Sequence, residues 1–202
     1  MKYILIRHGE CMHNIKKDES VPNALCSLTE NGKQQSIIAA EHVKRIIDEC
    51  HKMKKIYLYF SPYNRTRYMA NKIIERIQCD KICEEPLLSE IQCGKFFSKE
   101  QYEQEYPQEN ECLKKAVDTK SRFWYRFKDG ESPFDVYVRV RLFLTTLDTN
   151  ENVISIILSH QITLRVLEMI LLNKNIGWFE EGKRFSNGEI VVIENQNLVA
   201  LD

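Results

Sequence analysis

The sequence predicts an α/β protein, in which helices cover both faces of a mainly parallel sheet to give a three-layer α/β/α sandwich. Three apolar runs carry this prediction: Tyr3–Ile6, Ile56–Phe60 and Val153–Leu158 have strand length and are apolar nearly throughout, as strands buried on both faces are. Segments with helical spacing separate them, as parallel neighbours require. With 202 residues, the chain is expected to form a single domain spanning residues 1–202.

The first half of the chain contains two helix starts. Polar residues and Pro22 predict a loop from Cys11 to Leu28, followed by a helix that Thr29 caps and that runs to about Cys50. After the second strand, Ser61 is expected to cap the next helix with Pro62 at its first helical position. Both helices therefore begin close to the end of a predicted strand.

The second half begins at the edge of the sheet. Ile82–Leu88 is a short extended segment that Pro86 interrupts, which is typical of an edge strand. A charged stretch at about 95–128 is expected to form a helical excursion covering the site. The remaining predicted elements are a helix opening at Gly130–Ser132, a helix over Ile162–Leu172, a strand over Ile190–Ile193, and a hairpin turn at Asn195–Asn197 before the last strand.

Bulk composition excludes several functional classes. Lys and Arg total 29, equal to Asp and Glu, so the chain is not expected to bind nucleic acid or a membrane surface. No apolar run has transmembrane length, and the N-terminus lacks the layout of a signal peptide. Seven cysteines without a secretion signal predict reduced thiols and a cytoplasmic location. Cys79 and Cys83 lack partners for a zinc site, and no metal or other cofactor is predicted.

Basic side chains follow the predicted strands. Arg7 and His8 come at the end of the first strand, Arg65 falls in the first turn of the helix after the second, and His160 follows the third. Ligands of open α/β sheets bind beyond the carboxyl ends of the strands. Guanidinium groups and helix N-termini bind phosphate oxygens, and a neutral imidazole can attack phosphorus. The leaving oxygen then needs a proton, which a carboxylic acid can supply.

At this point the sequence resembles the histidine phosphatase superfamily, the phosphoglycerate mutase-like proteins. The resemblance runs from Tyr3 to the final strand and is closest to a eukaryotic mutase-like phosphatase branch. The matching segments are Arg7-His8-Gly9-Glu10 with Asn14, Leu28-Thr29 with Gly32 and Gln35, Ser61-Pro62-Tyr63-Asn64-Arg65-Thr66, Leu88-Ser89-Glu90 with Gly94, Gly130-Glu131-Ser132, and Ser159-His160.

The resemblance implies a role for each matching position. His8 would be the phosphorylated nucleophile, and Glu90 the proton donor that later helps to activate water. The phosphoryl group would be bound by Arg7, Arg65, His160, Asn14 and the backbone N–H of Gln161. Three nearby carboxylates remain alternatives to Glu90 as the proton donor, namely Glu84, Glu85 and Glu131.

The chain also departs from the family pattern. Gln161 replaces the usual glycine after the second histidine, and Cys11 stands where serine or threonine is common. The long basic insertion of the glycolytic mutases is absent, which favours a phosphatase over a mutase. Arg122, Arg126 and Arg184 are candidates for binding a second anionic group of the substrate.

The function expected from these observations is metal-independent hydrolysis of a small phosphomonoester through phosphohistidine on His8. Two alternatives remain open. The first is a phosphoglycerate mutase or a sugar-bisphosphate phosphatase, and the second is a non-catalytic protein that binds a phosphorylated ligand. The oligomeric state is not predicted.

Overall fold

A computed structural model of the protein describes residues 1–15, 21–50, 54–94, 103–182 and 184–200. Its centre is a six-stranded sheet with the order β3-β2-β4-β1-β5-β6. The strands β3, β2, β4 and β1 are parallel, whereas β5 and β6 pair antiparallel. The strands are β1 (Lys2–Arg7), β2 (Lys55–Phe60), β3 (Lys81–Glu84), β4 (Val153–Ser159), β5 (Ile190–Glu194) and β6 (Asn197–Val199). The predicted α/β fold with a mainly parallel sheet is confirmed.

Helices cover both faces of this sheet. They are α1 (Met12–Ile15), α2 (Glu30–Glu49), α3 (Asn64–Ile74), α4 (Pro107–Asp118), α5 (Pro133–Thr145), α6 (Gln161–Leu171) and α7 (Ile176–Glu181). Three short 3-10 turns lie at Asn23–Leu25, Pro86–Leu88 and Arg122–Trp124. No helix in these described ranges is long and apolar enough to cross a membrane.

The central strand β4 divides the core in two. All seven of its residues are buried, and their side chains alternate between the two faces of the sheet. Ile157 packs on the face that α5, α6 and α7 cover, in a cluster with Val140 and Leu167. Ile156 packs on the opposite face with residues of α2 and α3, such as Val43. Burial on both faces explains why the strand is an unbroken apolar run in the sequence.

The register of the parallel strands positions the site. Arg7 pairs with Ser159 across β1 and β4, and the His8 N–H donates to the Ser159 carbonyl (3.2 Å). His8 and His160 are therefore the residues that directly follow two adjacent strands of the sheet. Across β2 and β4, the Ser61 N–H donates to the Leu158 carbonyl (3.1 Å). Three strand ends thus bring His8, His160 and Ser61 to one edge of the sheet.

The loop that carries His8 packs tightly against the start of α2. Thr29 caps α2, as predicted, and its hydroxyl also donates to the Glu10 carboxylate (2.7 Å). A Cβ atom at Gly32 would lie 1.9 Å from the Glu10 carbonyl oxygen, so only glycine permits this approach. The Glu10 N–H donates to Gln35 (2.7 Å). These contacts fix the backbone immediately after His8.

Two local predictions need correction. The helix after β2 starts at Asn64 with Tyr63 as its N-cap, so the prediction that Ser61 caps it was wrong. The Ser61 hydroxyl hydrogen-bonds His160 instead, a contact between distant parts of the sequence. The predicted loop from Cys11 to Leu28 contains α1 and a 3-10 turn, while residues 16–20 lie outside the described part.

The remaining elements follow the sequence pattern closely. β3 is an edge strand, α5 begins at Pro133 with Ser132 as its cap, and a tight turn connects β5 to β6. Within the expected excursion at 95–128, the structure describes α4, and residues 95–102 lie outside the described part. The helix α7 was not anticipated, although its Phe179 is fully buried. All seven cysteines are free thiols.

Candidate active site

The candidate site lies where β1, β2 and β4 end, at the edge of the sheet. His8 and His160 are both buried, with ring centroids 5.0 Å apart in an edge-to-face arrangement. Arg65 is also buried, on the second residue of α3. The structure therefore brings together at this edge the two histidines and Arg65 that the sequence identified.

The hydrogen bonds of His8 determine its tautomer. Its Nδ1 lies 2.6 Å from the Gly9 carbonyl oxygen, which can only accept, so Nδ1 carries the proton. Its Nε2 lies 3.1 Å from the Nε–H of Arg65, which can only donate, so Nε2 presents its lone pair. The ring is held neutral with one nitrogen available as a nucleophile.

The surroundings of His8 oppose protonation. Burial and the nearby guanidinium of Arg65 hold the pKa of His8 well below its ordinary value of 6.5, and the charge of Arg7 lowers it further. A buried imidazolium beside two fixed cations would be costly. His8 is thus in the form that can attack phosphorus at neutral pH.

Arg65 is fixed by contacts with two other segments. Its Nη1 donates to the Asn23 carbonyl (2.6 Å) in the first 3-10 turn. Its guanidinium carbon lies 4.8 Å from the centre of the Tyr63 ring, a cation–π distance. The side chain is therefore oriented by the loop after β1 as well as by α3, and its charge stays directed at His8.

Arg7 retains unused donors inside the protein. Its Nη1 donates to the Phe185 carbonyl, whereas its Nε is buried and has no hydrogen-bond partner among the described residues. Burial lowers the pKa of Arg7 below its ordinary value and the charge of Arg65 adds to this, whereas the charge of Glu90 opposes it. A buried N–H without a partner costs about 1–3 kcal/mol, so the arrangement favours an incoming acceptor.

His160 resembles Arg7 in having one buried nitrogen that makes no hydrogen bond to the described residues. Its Nε2 lies 2.8 Å from the Ser61 hydroxyl, and its buried Nδ1 has no partner in the described part of the chain. The Tyr63 ring packs beside it at 4.7 Å. Burial first, then the charge of Arg65, lowers the pKa of His160 well below 6.5. Ser61, predicted to cap a helix, instead contacts His160 and orients its ring.

Glu90 occupies the N-terminus of α6. Its Oε1 accepts from the backbone N–H groups of Ile91 (2.9 Å), Ile162 (3.2 Å) and Thr163 (3.3 Å). His160 is the N-cap of the same helix. The carboxylate therefore reaches the turn that carries the second histidine. These helix N–H groups are donors that favour a negative charge.

The alternative carboxylates have other partners. Glu84 is exposed and forms a bidentate pair with Arg67 (2.6 and 2.7 Å). Glu85 caps the second 3-10 turn through the Leu87 N–H (2.9 Å). Glu131 is paired with Arg139 (2.9 Å) and accepts from the Gln92 N–H. Among these four carboxylates, Glu90 is the one that contacts the helix carrying His160.

Asn14 and Gln161 lie at the periphery. Asn14 is exposed, and its Oδ1 accepts from the Cys11 N–H (3.0 Å) and from Asn187 (3.3 Å). Gln161 is half-buried at the first position of α6 and lines a cavity of about 160 Å³. Arg122, Arg165 and Arg184 also line this cavity. In contrast, Arg126 is bound to Asp135 and the Gly130 carbonyl, outside it.

Taken together, these groups suit an oxyanion better than a metal ion. The site presents one imidazole lone pair, two guanidinium groups and an unpartnered ring nitrogen. Among the described residues, no group of three or more His, Cys, Asp or Glu side chains is arranged to hold a metal ion. Charged donors of this kind bind phosphoryl oxygens strongly.

Comparison with known proteins points the same way. A family model described as the histidine phosphatase superfamily (branch 1) matches residues 3–197. Two Arabidopsis thaliana proteins, phosphoglycerate mutase-like proteins AT74H and AT74, are 29% and 31% identical to this chain and align with 96% of it. The aligned region spans 73% and 64% of those proteins. A Saccharomyces cerevisiae fructose-2,6-bisphosphatase is 30% identical over 85% of the chain, which spans 34% of that protein.

Solved structures share the fold. A putative alpha-ribazole-5'-P phosphatase from Escherichia coli superposes with a TM-score of 0.76 at 20% identity, covering 100% of this chain and 96% of that one. A mycobacterial glucosyl-3-phosphoglycerate phosphatase complexed with VO3 gives 0.75 at 18% identity, covering 96% and 90%. At these identities the likeness establishes the architecture.

We expect His8 to remain unprotonated as the pH falls from about 8 to about 6, because burial and Arg65 lower its pKa. Imidazole nitrogen chemical shifts in NMR spectra across this range measure the protonation state. In Arg65→Gln the cationic contribution is lost while burial remains, so the pKa of His8 should rise. The exposed His42 on α2 supplies a reference signal outside the site. Titration of wild-type His8 at or above about pH 6.5 would contradict the assignment.

Proposed function

Because this chain belongs to branch 1 of the histidine phosphatase superfamily, we propose that it is a metal-independent phosphatase that hydrolyses a small phosphomonoester through phosphohistidine on His8. The observation that carries the proposal is the state of the His8 ring, with Nδ1–H held by Gly9 and the Nε2 lone pair beside Arg65. A neutral nucleophile with a fixed tautomer, next to a cation that can bind the phosphoryl group, is the arrangement that this chemistry needs.

The first step transfers the phosphoryl group to His8. Arg65, the free Nε–H of Arg7 and the unpartnered Nδ1 of His160 bind the phosphoryl oxygens, with Asn14 and the Gln161 N–H assisting at the entrance. The Arg65 Nε–H moves from His8 Nε2 to a phosphoryl oxygen, and the released Nε2 lone pair forms the P–N bond as the bond from phosphorus to the leaving oxygen breaks. The departing oxygen takes the proton of the Glu90 carboxylic acid.

The second step returns the enzyme to its starting state. The Glu90 carboxylate takes a proton from water, and the resulting hydroxide attacks phosphorus while the P–N bond breaks. Inorganic phosphate leaves, and His8 recovers its lone pair. Glu90 suits this role because it contacts the helix turn beside His160, whereas Glu84, Glu85 and Glu131 are engaged by Arg67, Leu87 and Arg139.

Phosphatase activity should depend on His8. We expect the wild-type protein to hydrolyse p-nitrophenyl phosphate in the presence of EDTA, and His8→Ala to lose at least about 10³-fold in kcat, because no nucleophile remains. The exposed histidine variant His42→Ala is the matched control and should keep wild-type turnover.

When the reaction with ³²P-labelled p-nitrophenyl phosphate is quenched rapidly under alkaline conditions, the label should remain on the wild-type protein and not on His8→Ala. Full activity in His8→Ala would overturn the mechanism. A trapped phosphoenzyme that transfers its group to 2- or 3-phosphoglycerate faster than to water would identify a mutase instead.

The proton-donor role of Glu90 predicts an effect that depends on the leaving group. Glu90→Gln should lower kcat for an alkyl phosphate such as glycerol 3-phosphate by about 10²–10³-fold, because an alkoxide needs a proton to depart. Nitrophenolate is a stable anion, so the rate of phosphoryl transfer from p-nitrophenyl phosphate to His8 should fall much less. Burst kinetics isolate that step. Glu84→Gln, in an exposed ion pair, is the control. Equal losses for both substrates would exclude Glu90 as the donor.

The cavity beside Gln161 suggests that the substrate has a second anionic group. Arg165 is buried and pairs with Glu168 (3.1 Å), and the Arg122 Nε lies 3.8 Å from a Glu180 carboxylate oxygen. The Nε of each arginine nevertheless has no hydrogen-bond partner among the described residues. Arg184 is exposed, lines the same cavity and forms no ion pair with the described residues. Gln161 lines the cavity and directly follows His160 in the chain. The cavity therefore lies next to the proposed phosphoryl site, about one residue further along α6. A carboxylate or second phosphate of the substrate would fit these donors.

Arg184→Gln should therefore change substrate preference. Two matched pairs measure it: fructose 1,6-bisphosphate against fructose 1-phosphate, and 3-phosphoglycerate against glycerol 3-phosphate. For the pair whose second anionic group binds in the cavity, the kcat/KM of the doubly anionic substrate relative to that of its partner should fall about tenfold. This corresponds to the loss of one charged hydrogen bond. Arg45→Gln, an exposed arginine on α2, is the control. Unchanged ratios in both pairs would remove Arg184 from substrate recognition.

A further inference from the structure

We propose that Cys11 and Cys26 form a reversible disulfide when the protein meets a peroxide, and that this bond acts on the site through the segment that holds Arg65. Both thiols are buried, 2% and 1% exposed, in a small cluster with Leu28 that Met12 and Tyr68 cover. The part of this proposal that concerns activity rests on the proposed phosphatase function, whereas the covalent bond can be detected without it.

Local strand pairing brings the two thiols together. Cys11 forms an antiparallel bridge with Leu28, and the Met12 N–H donates to the Ser27 carbonyl (3.0 Å). Cys26 precedes Leu28 by two residues. Its side chain therefore lies on the same face of the two paired segments as that of Cys11, diagonally across from it. Both side chains belong to the same buried cluster, and each thiol shifts the pKa of the other. A local movement of this strand pair would therefore bring the two sulfur atoms to bonding distance.

The two thiols differ in reactivity. The neighbouring Cys11 thiol, the His13 N–H that donates to the Cys26 Sγ (3.3 Å) and the charge of Arg65 lower the pKa of Cys26. The nearby Cys26 sulfur, together with burial, raises the pKa of Cys11. Cys26 is thus the thiolate that reacts first, with Cys11 in place as the resolving thiol.

The chemistry is a two-electron oxidation with hydrogen peroxide as the oxidant. The Cys26 thiolate attacks one peroxide oxygen, the O–O bond breaks, and the released hydroxide takes a proton to become water. Cys26 is then a sulfenic acid. The Cys11 sulfur, losing its proton, attacks the Cys26 sulfur and displaces a second water. Two thiols and one peroxide give one disulfide and two waters, and a thiol reductant reverses the bond.

The bond would act on the site through its neighbours. Cys26 directly follows the 3-10 turn whose Asn23 carbonyl binds Arg65 (2.6 Å) and whose Leu25 carbonyl binds Asn64 (3.1 Å). Cys11 contacts Asn14 through its backbone N–H (3.0 Å) and its thiol (3.3 Å). Drawing the sulfur atoms to bonding distance shifts the Asn23 carbonyl and removes the thiol donor from Asn14. Displacement of groups that hold Arg65 lowers phosphoryl-transfer activity.

The covalent prediction is tested by counting thiols. Reduced protein is treated with hydrogen peroxide, unfolded in N-ethylmaleimide and analysed by intact mass. Wild type should show two fewer maleimide additions than its untreated form, and peptide mapping should find the Cys11–Cys26 link. Cys11→Ser and Cys26→Ser should not form this link, whereas Cys83→Ser, at a half-buried cysteine on β3, should form it as wild type does. A disulfide joining other cysteines, or none, would overturn the proposal.

The functional prediction uses the same samples. Oxidised wild type should lose about tenfold or more in kcat/KM for p-nitrophenyl phosphate, and dithiothreitol should restore it. Cys83→Ser should behave likewise, and Cys11→Ser should be insensitive to the same peroxide dose. Unchanged kcat/KM in protein that carries the disulfide would overturn the link to Arg65. Absence of turnover in reduced wild type would count against the proposed phosphatase, while the mass measurement would still decide the disulfide.

Discussion

The contact between Arg65 and His8 is the interaction on which the site depends. The Nε–H of Arg65 can donate to Nε2 of His8 only while that nitrogen is unprotonated, and burial together with the guanidinium charge keeps it so. Arg65 and the Gly9 carbonyl therefore set the tautomer of the imidazole between them. Arg65 depends in turn on the Asn23 carbonyl and the Tyr63 ring. The state of the proposed nucleophile thus depends on a loop and a helix that meet only in the folded chain, and is a property of the tertiary structure.

The parallel sheet supplies the precision that this contact needs. Pairing of Arg7 with Ser159 fixes His8 beside His160, and the bond from Ser61 to Leu158 fixes the hydroxyl that orients the second ring. A buried core on each face of β4 holds these registers. The strand ends in turn leave Arg7 Nε and His160 Nδ1 buried without partners in the described structure, at about 1–3 kcal/mol each. An anion that accepts hydrogen bonds from these two nitrogens would remove this cost.

Much of this arrangement could be predicted from the sequence, because the apolar runs fix the strands and the residues that follow them fix the site. The positions of His8, Arg65 and His160 required no more than that. Ser61 was misread because a serine before proline also satisfies the rules for a helix start, and its bond to a histidine distant in sequence leaves no local signal. The resemblance named Glu90 as the expected proton donor and left Glu131 open as an alternative. The contacts that distinguish the two, the pairing of Glu131 with Arg139 and the bonds from the α6 N–H groups to Glu90, are not encoded by spacing along the chain.

The N-terminus of α6 joins the separate parts of the proposed chemistry. His160 caps the helix, Gln161 faces the arginine-lined cavity, and the N–H groups of Ile162 and Thr163 hold Glu90. Four consecutive residues thus contact the proposed phosphoryl site, the proposed substrate cavity and the proposed proton donor. In the proposed mechanism Glu90 gives up a proton in the first step and takes one from water in the second. The N–H groups of Ile162 and Thr163 hold its carboxylate in the same place for both steps. The turn that carries His160 therefore fixes the position of the proposed proton donor relative to that histidine.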